Sequence, residues 1–213
     1  MPFGYIGQNQ TKQQVKNSGV LSSFDISLLE KNGQAGGSFE LIEEQTYSSS
    51  VSQVIFDEIQ EEKYNVHLLI FEKVQGTGDN VQSENIQLFE NGVLETSNVY
   101  QIAQRNHRAT GSFTNQSRTS AANQWSLSVG GGNAANEKLS GYMYMYNAGN
   151  SSKFTFATVQ STIWSSDPNM WHKYGGMCLP QASKVDGIKI FPSSGSYSSF
   201  KFRLFGVKKI WVL

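Results

Sequence analysis

Cysteine is almost missing from this chain of 213 residues, which contains a single one, Cys178. One thiol cannot build an internal disulfide framework or a metal site made of several thiolates. Cys178 stands in the segment GGMCLP with no histidine or carboxylate beside it. We therefore expect it to be a buried structural thiol and not a nucleophile.

An excess of charge of either sign is also missing, because 17 basic residues balance 17 acidic ones. Without a broad positive field, a nucleic acid bound mainly through its phosphates is excluded as a partner. No early segment has the basic-then-apolar order of a signal peptide, and no apolar run approaches the length of a membrane span. We expect a protein that is made in the cytoplasm and does not insert into a membrane.

Patterns that would hold a metal, a nucleotide or a catalytic centre are scarce. The three histidines, His67, His107 and His172, do not have the spacing of a zinc site, and His67 lies in a strand pattern that is typical of a structural histidine. The glycine-rich stretches VGGGNAANEK and QGTGDN lack the residues that place a phosphate. No catalytic residue, metal ion or cofactor is predicted.

One acidic segment, FDEIQEEKY, allows the hypothesis that the protein is a hydrolase. A glycosidase needs two carboxylates that face each other across a cleft, and Asp57, Glu58, Glu61 and Glu62 supply four. Four charges crowded between two strand patterns are more typical of a solvated turn. We favour the turn.

Short segments rich in β-branched and aromatic residues follow one another after Gly37. Turn signals recur about every 8–12 residues, which is the spacing of a β-sandwich or barrel. The sequence therefore predicts an all-β fold: an extended N-terminal arm over residues 1–37, then an antiparallel, jelly-roll-like β-sandwich over residues 38–213. Asn91-Gly92 predicts a tight hairpin turn. The polar span 105–123 predicts a mobile loop or an edge hairpin.

A run of alternating aromatic residues marks one strand. In GYMYMYNAG, Tyr142, Tyr144 and Tyr146 should line one face while Met143 and Met145 lie on the other. The tyrosines fit the core or a subunit contact better than they fit a sugar-binding surface.

A second aromatic group lies further along the chain. His172 stands between Trp171 and Tyr174 in the segment NMWHKYGG, with Trp164 close before it. We interpret NMWHKYGG as a loop. Together the four side chains are a candidate surface for a sugar or a protein partner, and the alternative is packing at a sheet edge.

The stretch Tyr5–Val20 of the N-terminal arm is polar and has no strand or helix period, and SSFDISLLEKNG after it could form one short helical turn. Such a segment cannot bury enough apolar surface to offset its conformational entropy, so it is expected to need an outside surface for order. We expect docking on a neighbouring protein, with wrapping around its own sandwich as the alternative. The anchors would be apolar side chains among its first twenty residues, Phe3, Tyr5, Ile6, Val15 and Val20.

Three stretches of the sandwich carry a resemblance to structural proteins of tailed phages. VDGIKIFPSSGSYSSFKFRLFGVKK, at 185–209, resembles their closing hairpin, and VSQVIFDEIQEEKYNVHLLIFEKV, at 51–74, resembles their first paired strands. With GYMYMYNAG between them, the likeness covers most of residues 45–209. The opening segment is similar to the N-terminal stretches of virion proteins from phages of cyanobacteria and other aquatic hosts.

The resemblance implies a non-enzymatic virion protein: a short tail fibre, a capsid fibre or a decoration protein. Its arm would anchor it to capsid, portal, tail or fibre components, and the sandwich would serve assembly or host contact. The resemblance also implies a homo-oligomer, with a trimer favoured, and allows a host-surface glycan as a partner. A stand-alone carbohydrate-binding module is the alternative from another class.

Overall fold

The computed structural model describes residues 38–79, 83–165 and 169–208. Thirteen strands and no helix occur in these ranges. The strands are β1 (Phe39–Tyr47), β2 (Val54–Phe56), β3 (Val66–Gly76), β4 (Glu84–Glu90), β5 (Val93–Leu94), β6 (Tyr100–Arg108), β7 (Phe113–Ala122), β8 (Trp125–Ser126), β9 (Leu139–Tyr146), β10 (Thr155–Trp164), β11 (Met170–Leu179), β12 (Val185–Pro192) and β13 (Tyr197–Val207).

The strands form two antiparallel sheets. The larger has the order β1-β13-β3-β9-β10-β11-β6-β7, and the smaller has the order β2-β12-β4-β5, with β8 also paired to β4. One hydrophobic cluster draws buried residues from both sheets, as a β-sandwich requires. The predicted all-β antiparallel fold is confirmed, while jelly-roll connectivity remains a prediction. Phe39–Val207 is a compact unit by itself; the predicted boundary at residue 38 remains a prediction.

Strand periodicity places the core. Along β10, buried and exposed side chains alternate without a break, because successive side chains of a strand point to opposite faces. Trp125 is the largest fully buried side chain and meets Tyr100 edge to face, with ring centroids 5.9 Å apart. The Tyr100 hydroxyl accepts from the amide of Leu88 and donates to the carbonyl of Glu95, so its burial leaves no unmet hydrogen bond.

The predicted turn at Asn91-Gly92 is confirmed. Glu90 pairs with Val93 across a two-residue connection. Asn91 and Gly92 have φ angles of 51° and 78°, and positive values at both positions are what a type I′ hairpin requires. The edge hairpin is confirmed too, since β6 and β7 pair over the span that was predicted as a mobile loop or a hairpin, and β7 closes one edge of the larger sheet.

Two strand pairings implied by the resemblance are wrong. β12 and β13 lie in different sheets, so the loop between them crosses from one layer to the other and does not close a hairpin. β2 and β3 are likewise divided between the sheets. The three quoted stretches nevertheless meet, because β13 and β9 both pair with β3, one on each side.

Candidate functional site

The outward-pointing side chains of β9, β10 and β11 form a continuous surface, which we call the outer face. Cross-strand register places them opposite one another, for example Gln160 between Tyr142 and Tyr174. The face contains no aspartate, glutamate, lysine or arginine. Its members are Ser140, Tyr142, Tyr144, Tyr146, Phe156, Thr158, Gln160, Thr162, Trp164, Met170, His172, Tyr174, Gly176 and Cys178.

Three tyrosines make a ladder along the β9 side of this face. The rings of Tyr142 and Tyr144 meet edge to face at 5.9 Å, and those of Tyr144 and Tyr146 stack at 6.4 Å. The Tyr142 hydroxyl donates to Gln160 Oε1 at 2.6 Å. Met143 and Met145, on the other side of the strand, are fully buried. The predicted division of the two residue types between faces is confirmed: the methionines are core and the tyrosines face outward.

A stack of rings continues across β11 and β6. Tyr174 lies between the imidazoles of His107 and His172, with centroid distances of 5.6 and 5.7 Å. His107 Nε2 is also 3.3 Å from the Tyr174 hydroxyl. The two histidines are direct register partners. The rings hold one another in place, so the face presents a fixed aromatic surface rather than loose side chains.

The four aromatic-loop residues predicted from the sequence do not share one surface. They lie on β10 and β11, so the expected loop is wrong. Trp164, His172 and Tyr174 belong to the outer face. Trp171 points the other way and packs against the core, with the Arg108 guanidinium carbon 5.2 Å from the centre of its ring. Alternation along a strand separates Trp171 from its neighbours.

Two shallow grooves flank Tyr142 on the outer side of the larger sheet. The first, of about 370 Å³, is lined by Leu68, Ile70 and Tyr144 among others. The second, of about 270 Å³, is lined by hydrogen-bonding groups that include Gln160 and His172. Both grooves are mainly apolar in surface, and the second also offers hydrogen-bonding side chains, so the centre of the face has some relief for a partner.

A buried polar cluster, which the sequence did not reveal, bridges the two sheets. The Lys173 ammonium on β11 donates to Gln116 Oε1 at 2.7 Å, to Ser126 Oγ at 2.6 Å and to the carbonyl of Ser128 at 3.2 Å. The Ser128 hydroxyl donates to the carboxylate of Glu84 on β4. Lys173 and Glu84 are 1% and 2% exposed. Two opposite charges are therefore buried together and joined through serine.

Burial dominates the titration of this cluster. It raises the pKa of Glu84 to about 7, an effect that the Ser128 hydrogen bond and the Lys173 charge oppose. It lowers the pKa of Lys173 to about 7, against the opposing charge of Glu84. A lysine beside a serine hydroxyl resembles a base beside a nucleophile. Ser126 is only 6% exposed, however, so the arrangement serves the interior and offers a substrate no approach.

The acidic segment is a turn, as favoured from the sequence. It connects β2 to β3, and the amide of Lys63 donates to the carbonyl of Gln60, whose φ is 55°. Lys184 forms ion pairs with Glu61 at 2.7 Å and with Glu62 at 2.8 Å. The Lys184 hydrogen bond and charge lower the pKa of Glu62. All four carboxylates of the segment, those of Asp57, Glu58, Glu61 and Glu62, line one open groove of about 440 Å³.

The sequence predictions for His67 and Cys178 have different outcomes. His67 is 1% exposed, its Nε2 lies 2.8 Å from the carbonyl of Ile59, and burial lowers its pKa. The prediction of a structural histidine is confirmed. Cys178 is half-buried near the end of β11, so it is less buried than expected. Its position on the outward side of the strand explains the difference, and partial burial raises its pKa.

Metal sites and membrane-spanning helices can be assessed only for the described residues. No group of three or more His, Cys, Asp or Glu side chains there is placed to hold a metal ion. No helix in the same ranges is long and apolar enough to cross a membrane. The predicted anchors Phe3, Tyr5, Ile6, Val15 and Val20 lie outside the described residues.

No protein-family model matches the chain, and no curated protein matches it in sequence. Function must therefore be inferred from the residues and their geometry.

Proposed function

We propose that this chain is a non-enzymatic structural protein of a tailed-phage virion, made in the host cytoplasm and built into the particle. It would be a short tail fibre, a capsid fibre or a decoration protein. Residues 1–37 would anchor it to capsid, portal, tail or fibre components. The β-sandwich would carry the contact surface for assembly or for the host.

The outer face is the observation that supports this proposal. Monomeric proteins rarely expose a contiguous apolar patch larger than a few hundred Å². Protein interfaces are depleted in charge at their centre and enriched in tyrosine, tryptophan, phenylalanine and methionine. The outer face has this composition: Phe156, Trp164, Met170 and Tyr174 are each 41–45% exposed. Such a surface suits a protein whose task is to bind other proteins.

Anchoring through the N-terminal segment can be tested by co-sedimentation with phage particles that lack this protein. We expect the full-length chain to pellet with the particles and a chain beginning at Ser38 to remain in the supernatant, because the shortened chain has lost Phe3, Tyr5 and the other proposed anchors. Circular dichroism of both proteins should first show the same β spectrum. If neither protein pellets, the virion proposal is contradicted. If both pellet, the sandwich itself is the anchor.

A carbohydrate-binding module is the second candidate, supported by the exposed rings of Trp164 and Tyr174 and by a groove whose lining includes the side chains of Gln160 and His172. Sugars stack on exposed aromatic rings and bond to amides and hydroxyls at the edge of such a platform. On a glycan array, Trp164→Ala is then expected to abolish binding by the full-length chain. Phe39→Ala is the control, since Phe39 is 47% exposed on β1, at the far edge of the same sheet. A wild-type chain that binds no glycan rejects this candidate.

A further inference from the structure

We infer that the partner of the outer face is a second copy of this chain, so that two molecules pack larger sheet against larger sheet. The inference rests on the proposed function in one respect, the contact role of this face. It goes further by naming the occupant. Three properties of the face lead to it: its neutrality, its extent and its sheet geometry.

Neutrality comes first. None of the outer-face positions of β9, β10 and β11 carries a formal charge. Beyond β9, on the side of β3, β13 and β1, charged side chains are paired within the molecule: Arg203 with Glu72 at 2.6 Å, and Lys201 with Glu44 at 3.0 Å. Beyond β11, on β6, the guanidinium of Arg105 lies over the ring of Phe113, 3.7 Å from its centre. A partner of strong charge would therefore gain little here. A second copy brings an equally neutral surface and no like-charge repulsion.

Extent comes second. The outer face continues onto the two neighbouring strands, β3 and β6. The strands β3, β9, β10, β11 and β6 contain 11, 8, 10, 10 and 9 residues. At about 3.4 Å per residue and about 4.8 Å between strands, they present a surface of roughly 30 by 24 Å, or roughly 700 Å². A stable protein interface buries about 600–1,000 Å² on each partner. One sheet face is thus large enough for a stable contact, and far larger than a single sugar needs.

Sheet geometry sets how the copies would meet. Sheets pack face to face at about 10 Å when their outward side chains interdigitate. The Tyr142, Tyr144 and Tyr146 ridge and the grooves beside Tyr142 supply ridges and hollows on one surface, so a two-fold contact of the face with itself is possible. Such a contact gives a dimer, whereas the resemblance favoured a trimer. The measured mass distinguishes the two.

The test is sedimentation velocity on the full-length chain. Interfaces of this size have dissociation constants of micromolar or tighter, so about 1–100 µM protein covers the expected range. We expect a mass of twice the 23.6 kDa of one chain. Thr158→Lys and Thr158→Glu, at an exposed position in the middle of the face, are each expected to weaken association by at least about 100-fold, because either one buries an unpaired charge.

A matched control adds the same charge elsewhere. Val93→Lys lies on β5 of the smaller sheet, where the side chain is 70% exposed, and it should leave the dimer intact. A wild-type monomer at about 100 µM overturns the inference. So does an oligomer that Val93→Lys disrupts and the Thr158 variants do not. Co-sedimentation with particles is scored separately, so a monomer that still pellets contradicts only the self-association, and a dimer that does not pellet contradicts only the virion proposal.

Discussion

Replacing Lys173 with methionine is expected to lower the free energy of unfolding by about 3–5 kcal/mol, the cost of removing one partner from a buried charged pair. The variant leaves Glu84 buried without its counter-charge. It also leaves Gln116 Oε1 and Ser126 Oγ without the donor that they contact in the wild type. An unmet buried polar group costs a further 1–3 kcal/mol or so when no water replaces the partner.

Urea unfolding, followed by circular dichroism, measures this loss. For a chain of this length, each kcal/mol lowers the melting temperature by about 2–4 °C. Lys153→Met is the control, because Lys153 is exposed in the β9–β10 connection, and surface changes usually stay within about 0.5 kcal/mol. Adding Glu84→Gln to Lys173→Met should recover part of the loss, since the carboxylate is then neutral. Equal stability of wild type and Lys173→Met would show that the contacts of the Lys173 ammonium are dispensable.

The deficit of Lys173→Met should also depend on pH in a defined direction. Folding lowers the pKa of Lys173 from 10.5 to about 7, so between those values the unfolded wild-type chain binds more protons than the folded one. The contribution of Lys173 to the free energy of unfolding therefore rises as the pH increases from about 7 to about 10, and it falls again as the pH is lowered. The variant lacks the group, and its deficit relative to wild type should be larger at pH 9 than at pH 7, to the extent of roughly 1 kcal/mol or more.

Local patterns predicted local structure well. Period-two alternation identified most strands and placed Met143 and Tyr144 on opposite faces, because the geometry of a strand fixes that alternation whatever the strand packs against. The Asn91-Gly92 turn was equally predictable, since these two residues tolerate positive φ and few others do. These features depend on neighbours along the chain, which the sequence displays directly.

Features set by distant parts of the chain were not predictable. No local sequence pattern predicts that β13 pairs with β1 and β3 and not with β12, the strand that precedes it. The burial of Lys173 could not be predicted, because a lysine in a strand is ordinarily solvated. Its partners Glu84 and Ser126 come from the other sheet, so no nearby part of the sequence indicates them. Trp171 was grouped with His172 because the segment was interpreted as a loop; treating it as a strand would have separated the two.

Gly175→Ala is the substitution expected to damage the outer face most directly. Gly175 has φ of +151°, and a Cβ there would lie 2.4 Å from the carbonyl oxygen of Ala103 and 2.6 Å from the Cα of Gln104. Both obstacles are backbone atoms of β6, so no side chain can rotate away. Strain at such a φ and overpacking each cost about 1–3 kcal/mol, so we expect urea unfolding to show a total loss of about 2–6 kcal/mol.

The adjacent glycine provides the matched control. A Cβ on Gly176 would meet nothing closer than the carbonyl of Ala157 at 4.0 Å. Gly176→Ala should therefore be tolerated, or even stabilise the chain by up to about 1 kcal/mol, because glycine loses more conformational freedom on folding than alanine does. Similar effects of the two substitutions would contradict the close approach of β11 to β6.

The Gly175→Ala and Gly176→Ala variants also test whether the close pairing of β11 with β6 determines the arrangement of the aromatic rings on the outer face. The stack of Tyr174 on His107 joins β11 to β6, so it can form only if these strands pair closely at Gly175. If Gly175→Ala separates them, the near-ultraviolet circular dichroism of the aromatic rings should weaken more than the far-ultraviolet β signal does. Gly176→Ala should change neither signal. A selective loss of this kind would show that a glycine on the inner side of β11 determines the arrangement of the aromatic rings on its outer side.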